Sequence, residues 1–449
     1  MPLTKRKILA ALLPLTWAVA LPAMAWDLDR AWALAVQNLP ALRGAQARTD
    51  ALRARVDAAA APLWPTASVD ISQAVQTANF VQRPGAVPRS LTSAAGSSGF
   101  STSPALYPFF QLTGNVRWTV WDFGRTAASV AAADAATHSA QANEQAVRQR
   151  LWLQVAAGYL QALAADAAVE VAQDTLVLVQ KRRDLVKIKV DAEARPLLDL
   201  LRAQSDVQSA EVTLMRAQDE VHNARLALGL AIGLDRPVDE ALELPRAASL
   251  TIDDAVLHRG DIVAQWLQQA LRVRPELRSI DADIDAARAQ LQALALMAAP
   301  SMFVAGQAAV AGTDFTALAY NLSASAGASL PLSGLWMQGP QAAELRAVIR
   351  QLQADRAAIL LQVRGELDSA RQWWLQARRR RQPLVALFAL ADKAYDHARA
   401  RYQAGATALV DVIDTEFARN QAKLQLAQLD LDEALAVARW RAAMGQIAG

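Results

Sequence analysis

The 449-residue chain contains no cysteine and only four histidines. Without cysteine there are no disulfides, no thiol catalysis, no thiolate metal site and no lipid anchor on an N-terminal cysteine. The histidines (His138, His222, His258 and His397) stand singly on helical stretches, without the paired spacing of a zinc site, so no metal is expected. No phosphate loop, dinucleotide-binding glycine pattern or nucleophile elbow occurs. Neither cofactor nor catalytic residue is expected, and the chain does not read as an enzyme.

A surplus of positive charge is missing too, once the N-terminus is set apart. Lys5, Arg6 and Lys7 precede an apolar run from Ile8 to Ala20, and Pro22-Ala23-Met24-Ala25 ends in Ala-x-Ala. This pattern predicts a secretory signal over residues 1–25, cleaved before Trp26, and is too short for a membrane anchor. Its removal takes the 46 Lys and Arg residues down to the 43 of Asp and Glu. The sequence pI of 9.3 is therefore no nucleic-acid footprint. Beyond the signal no window supplies the roughly 20 apolar residues of a membrane helix. The chain is expected to be exported, and either periplasmic, secreted or part of a β-barrel.

What the chain does have is an internal repeat. Asn38-Leu39-Pro40-Ala41-Leu42 opens a helical stretch ending at Pro65, and Arg272 to Leu277, around Pro275, opens another ending at Pro300; both proline pairs are 235 residues apart. Leu197 to Leu201 matches Leu409 to Ile413 at an offset of 212, which also carries Gly233 onto Gly445. The change of offset puts 23 extra residues in the first copy, most naturally in the Ser-, Gly- and Pro-rich stretch Thr77–Phe110, which reads as a long loop. The expected organisation is a first repeat over 26–235, a connecting segment over 236–259 and a second repeat over 260–449.

Each repeat reads helix, strand, loop, strand, long helix, turn, long helix. Strands are expected at about 67–76, 111–121, 301–311 and 319–330. In the second, Leu112, Gly114, Val116, Trp118 and Val120 alternate with Thr113, Asn115, Arg117 and Thr119. In the fourth, Tyr320, Leu322, Ala324, Ala326, Ala328 and Leu330 alternate with Asn321, Ser323, Ser325, Gly327 and Ser329. Val69, Ile71 and Val75, and Met302, Val304 and Val310, mark two weaker partners. Runs of about ten residues with a period of two suit membrane strands, though a half-buried soluble sheet uses the same pattern. Trp118 and Trp121 suit a membrane-interface belt or a core equally.

The helices weigh against the soluble sheet. Arg125 to about Lys189 lacks proline and would span about 100 Å at ~1.5 Å per residue. A matching helix is predicted over Gln341–Arg401, with a kink or break at Pro383. The returning helices carry coiled-coil stripes, Val207-Ala210-Leu214-Ala217-Val221-Ala224-Leu228 and Ile413-Phe417-Asn420-Leu424-Ala427-Leu431-Ala434-Ala438. Arg378 to Arg381, beside Trp373-Trp374, reads as a solvated face. Four strands cannot close a membrane barrel, since unpaired edges in lipid cost several kcal/mol per orphaned group. An oligomer is therefore required: two copies would give eight strands and a filled interior, three would give twelve and room for a pore. An exported coiled-coil structural or adhesive protein, lacking a pore, would not need the strand hairpins.

Several motifs in this order resemble the TolC family of outer-membrane channels over nearly the whole mature length. They are Ala35 to Pro40, the junctions at Pro65 and Pro300, Trp121-Asp122-Phe123-Gly124-Arg125, its counterpart Leu330 to Gly334, and Arg401-Tyr402-Gln403-Ala404-Gly405 followed by Leu409 to Asp414. The resemblance implies a mainly α fold with a membrane β-barrel. Long antiparallel coiled-coil helices would form a periplasmic α-barrel, and four strands per chain a trimeric twelve-stranded barrel in outer-membrane lipid of a Gram-negative bacterium. It implies a passive conduit for drug or small-molecule efflux or type I protein secretion. The partners would be a periplasmic adaptor and an inner-membrane pump or ABC exporter. It also implies a periplasmic gate at Asp199, Tyr402, Asp411 and Asp414. Thr407 departs from the arginine of the family's best-known member, and Arg195 occupies the equivalent slot of the first repeat. Arg195 is expected to pair across the tip with Asp411 or Asp199, since a ring of acids from three chains repels itself.

Overall fold

The computed structural model describes residues 26–77, 106–243, 262–312, 318–332 and 334–446. The signal, residues 78–105 of the expected loop, most of the connecting segment and His258 lie outside them.

The described residues form α1 (Leu28–Asn38), α2 (Pro40–Ala60), β1 (Thr66–Thr77), β2 (Leu106–Trp121), α3 (Arg125–Asp191) and α4 (Leu197–Ala231). The order recurs as α5 (Ile262–Val273), α6 (Pro275–Ala295), β3 (Ser301–Gly312), β4 (Ala319–Ser329), α7 (Gly334–Gln403) and α8 (Leu409–Met444). Lengths recur as well: α2 and α6 have 21 residues each, α3 and α7 have 67 and 70, and α4 and α8 have 35 and 36. No helix among the described residues is long and apolar enough to cross a membrane.

Two expectations need correction. Leu106 to Phe110, assigned to the loop, are the first residues of β2 and pair with Gln73 to Thr77 of β1. Pro108 stands opposite Val75 of β1, in the part of β2 that, among the described residues, pairs with β1 alone. Of the kink or break expected at Pro383, the break does not occur, since α7 runs unbroken from 334 to 403. Pro383 and Arg379 are both exposed in the single chain, where solvent can reach the Arg379 carbonyl that the proline leaves free.

The chain divides into two compact units, each drawing on both halves of the sequence. Among the described residues, the first comprises 26–39, 151–243 and 372–439. Its helices run as antiparallel hairpins, fixed by pairs at matching distances from the turns. Arg225 of α4 holds Asp166 of α3 at 3.0 Å, and Arg419 of α8 holds Asp392 of α7 at 2.7 Å. Arg381 grips Glu433 with two bonds of 2.8 Å, and Arg380 reaches Asp432 at 3.0 Å. Arg380 and Arg381 thus clamp onto α8, while Arg379 stays exposed on the solvated face that the sequence suggested. The Arg381 guanidinium is held above its usual pKa range, first by its hydrogen bonds to Glu433. The α4 stripe is the buried seam at Val207, Ala210, Ala224 and Leu228. On α8 the stripe is buried at Ile413, Leu431 and Ala438, but Phe417 stays 38% exposed. Beside it Val412, Ala422, Leu429, Ala436 and Val437 are buried, because α8 packs on a wider face than one coiled-coil seam.

Among the described residues, the second unit comprises 40–77, 106–150, 262–312, 318–332, 334–371 and 440–446 and contains the sheet, an antiparallel meander in the order β1-β2-β3-β4. Its register aligns the alternating residues into two faces. Val69 lies opposite Gly114, Ile71 opposite Leu112, Leu112 opposite Val310, and Val310 opposite Tyr320. The other face runs from Asp70 across Thr113 and Ala309 to Asn321, and from Ser68 across Asn115 and Gln307 to Ser323. A register shift between Thr119 and Trp121 puts Trp121 opposite Met302, on the same face as Trp118 opposite Val304. The bulge thereby sets both tryptophans on the apolar side at the helical end of the sheet. That side is bare in the single chain: Ile71 is 71% exposed and Tyr320 82%.

Candidate functional site at the helix turns

The five expected gate residues sit at the two turns of the first unit, and the backbone explains why. Helix α3 ends with Glu193 in the left-handed region (φ 54°), where Ala194 N–H bonds Lys189 O at 2.8 Å and Glu193 N–H bonds Val190 O at 2.9 Å. Helix α7 ends in the same way, with Gly405 at φ 71°, Ala406 N–H on Arg401 O at 2.8 Å and Gly405 N–H on Tyr402 O at 3.0 Å. Both are Schellman caps, which reverse the chain within a few residues. The next helix then starts with an acid three residues after its N-cap, Asp199 in α4 and Asp411 in α8.

Those equivalent acids are used differently. Asp411 turns back on its own helix start, accepting the Ala408 N–H at 3.3 Å and the Thr407 hydroxyl. This is the returning half of a capping box. Asp199 faces Pro196, which has no N–H to give, and takes Arg195 instead at 3.2 Å. Arg195 thus pairs with Asp199 of its own chain, four residues on. Asp414 pairs with Arg182 of α3 at 3.4 Å, a partner the sequence reading did not foresee. The two residues lie 232 positions apart, and nothing local to either marks the contact. Tyr402 is 42% exposed on the last turn of α7. All three acids therefore have partners inside one chain, each partly solvated.

Above the Asp414–Arg182 pair lies a groove of about 600 Å³ among α3, α4 and α8. Phe417, Leu178 and Ile413 give it an apolar floor, and Asp206, Ser209 and Thr213 a polar margin. Among the described residues no group of three His, Asp or Glu is placed to hold a metal ion.

Two further clusters anchor the short helices. Tyr159 of α3 is fully buried and sets its hydroxyl between the carbonyls of Trp26 and Glu243, accepting the Glu243 N–H at 3.1 Å. Burial pushes this phenol up to about 12, against the hydrogen bond from Glu243 and aided by the charges of Asp27 and Glu243. In the second unit Arg274, its side chain 5% exposed, donates to Ala443 O at 2.9 Å and pairs with Glu276 and Glu366. Asp122, in the motif between β2 and α3, accepts the N–H of Gly124 at 3.1 Å and of Thr126 at 2.7 Å, capping α3. Burial raises its pKa, but the bonds from Thr126 and Gly124 and the charge of Arg125 outweigh it and leave the carboxyl below its ordinary value.

Comparison with known proteins fits this architecture. Residues 32–234 match the family model of outer membrane efflux proteins. Over 436 residues the chain is 25% identical to the pyoverdine export outer membrane protein OpmQ of Pseudomonas putida, covering 93% of this chain and 86% of that one. Over 260 residues it is 26% identical to protein CyaE of Bordetella pertussis, covering 58% of this chain and 49% of CyaE, so the match spans about half of that relative. Among solved structures, the outer-membrane channel OprN superposes with a TM-score of 0.73 at 19% identity, covering 94% of this chain and 90% of that one. The chain thus resembles the outer membrane efflux protein family over residues 32–234, and its fold is that of the outer-membrane channel OprN.

Proposed function

We propose that the chain is the outer-membrane channel-tunnel of a tripartite export system, a passive conduit from the periplasm to the outside. One observation carries this reading: an open four-stranded sheet with one bare apolar face and one polar face, attached to helices of 67 and 70 residues. An exposed apolar surface of this extent is untenable in water and suits lipid. Among the described residues the outer edges of β1 and β4 are unpaired, and in hydrocarbon each orphaned backbone group costs several kcal/mol. Three copies pairing β4 to β1 close a twelve-stranded barrel with the polar faces inward. The repeats 26–235 and 260–449, joined through 236–259, would then supply alternating walls of a periplasmic tunnel. A periplasmic adaptor and an inner-membrane pump or ABC exporter complete the system.

For the gate, Asp199, Tyr402, Asp411, Asp414 and Arg195 lie at the two helix turns, and we assign them the constriction. The cargo class favoured is a small molecule, supported by the resemblance to a pyoverdine exporter over nearly the whole chain; type I protein secretion is the competing use. Planar-bilayer recording of the purified mature protein tests the conduit. Small cation-selective steps that grow in Asp411→Ala/Asp414→Ala are expected. A folded, membrane-extracted protein giving no current in either form would reject the conduit in favour of a coiled-coil structural role.

A further inference from the structure

Only two charged side chains stand on the four strands, Asp70 on β1 and Arg117 on β2, and both belong to the polar face. They are treated differently. Asp70 is tied down, accepting Ser68 Oγ at 3.2 Å and Asn115 Nδ2 at 2.9 Å. Arg117 has no carboxylate partner among the described residues. Its guanidinium lies 3.7 Å from the centre of the Phe303 ring. Phe303 in turn occupies space that only glycine leaves free on β4, since a Cβ at Gly327 would lie 3.0 Å from the ring's Cζ. The stack is thus built across three strands. Thr66 lies opposite Arg117 while Asp70 lies opposite Thr113, so four residues separate the two charges along the ladder. That is ~13 Å at ~3.3 Å per residue, too far for a direct pair.

A ring beneath a guanidinium fixes its position without cancelling its charge. The N–H edges of the planar fork stay free, in the geometry that accepts a carboxylate bidentately. Arg117 is exposed and stands four residues before the end of β2, at the helical end of the sheet. We propose that Arg117, seated on Phe303, is an anion-selecting contact of the barrel lumen, repeated once per copy as a positive ring that engages carboxylate-bearing cargo. This rests on the conduit reading above. In that reading the ring and the acids at the helix turns both act on the ions that pass, so their effects have to be measured apart.

The test is the reversal potential of reconstituted trimers under a potassium chloride gradient, recorded in the Asp411→Ala/Asp414→Ala background so that the turn acids do not mask the barrel. At dilute salt the screening length is about 10–30 Å, so removing three charges by Arg117→Ala is expected to raise the potassium-to-chloride permeability ratio about twofold or more. Arg117→Glu should raise it further, Arg117→Lys should retain the parental ratio, and Phe303→Ala should fall between lysine and alanine. Should Arg117→Ala fail to assemble, Arg117→Gln keeps a planar amide over the ring and serves in its place. Currents that persist with an unchanged ratio in both the neutral and the glutamate variants would overturn the proposal alone. No current from any assembled trimer would overturn the conduit and the proposal together.

Discussion

The two halves of the chain repeat an element order but not the chemistry at its corners. At an offset of 212, Glu193 answers to Gly405, Arg195 to Thr407, Pro196 to Ala408 and Asp199 to Asp411. Both turns form the same cap, yet one places a glutamate and the other a glycine in the left-handed region. Both helices start with an acid, yet one acid caps backbone and the other holds an arginine. Where geometry admits no substitute, the halves agree. Gly233 and Gly445 both close their helices at positive φ, and a Cβ at Gly233 would lie 2.9 Å from that of Asn38. Repetition therefore preserves the backbone path, while side chains diverge wherever a second solution satisfies the same N–H and C=O groups.

The largest expected effect is at the buried anchors, which also differ: a neutral phenol in the first unit and a charged guanidinium in the second. Tyr159→Phe removes a hydroxyl that serves Trp26 and Glu243, and should cost about 1–3 kcal/mol in denaturant unfolding. It should also remove a pH dependence. The folded pKa, pushed up to about 12, exceeds the unfolded value near 10. Its contribution is fully present below pH ~10 and is lost as pH rises toward ~12. The wild type should therefore lose midpoint stability between pH 9 and pH 11.5, about the range set by the two pKa values, more steeply than Tyr159→Phe does. Parallel curves would mean that the phenol is not the titrating group.

These anchors mark where sequence reading stops. The alternation on the strands fixed both faces of the sheet, because a period of two admits one assignment once a register is chosen. The extent of α3 followed from the lack of proline in 125–189, whereas α7 begins at Gly334, seven residues before the expected Gln341. Leu106–Phe110 was misread because Pro108 and the preceding Ser-Gly stretch suggest loop, and only pairing with Gln73–Thr77 reveals strand. At the turns, Asp199 and Asp411 were legible from repeat position and Arg195 was named as a partner for one of them, but the partner of Asp414 was not. Arg182 meets Asp414 through a helix contact, and Phe303 meets Arg117 across a ladder whose register the sequence leaves open.

A middle-sized effect tests the two acids directly. Asp411→Ala removes a cap from the Ala408 N–H and should cost about 1 kcal/mol. Asp199→Ala removes a pair whose arginine side chain is 57% exposed and should cost no more than about 0.5 kcal/mol. The comparison sharpens in an Ala408→Pro background, which copies Pro196 into the second half. With the N–H gone, Asp411→Ala should lose most of its effect, a coupling that a double-mutant cycle reads out. Additive costs would mean that Asp411 stabilises its turn through something other than the cap.

The smallest effect carries the opposite sign. Glu193 occupies a left-handed conformation that costs a non-glycine residue roughly 1–2 kcal/mol. Glu193→Gly relieves that cost but gives the unfolded chain more freedom, a loss of about 0.4–1 kcal/mol, so a net gain of about 0.5 kcal/mol is expected. The reverse exchange, Gly405→Glu, should destabilise by a similar amount. A Cβ at Gly405 meets nothing within 4 Å, so only the backbone preference is at stake in the single chain. If both exchanges shift the unfolding midpoint in those directions, the glutamate is a tolerated strain at a solvent-exposed turn. If Glu193→Gly destabilises instead, the carboxylate must be engaged in the assembled protein, and the two turns would differ in what they touch as well as in how they cap.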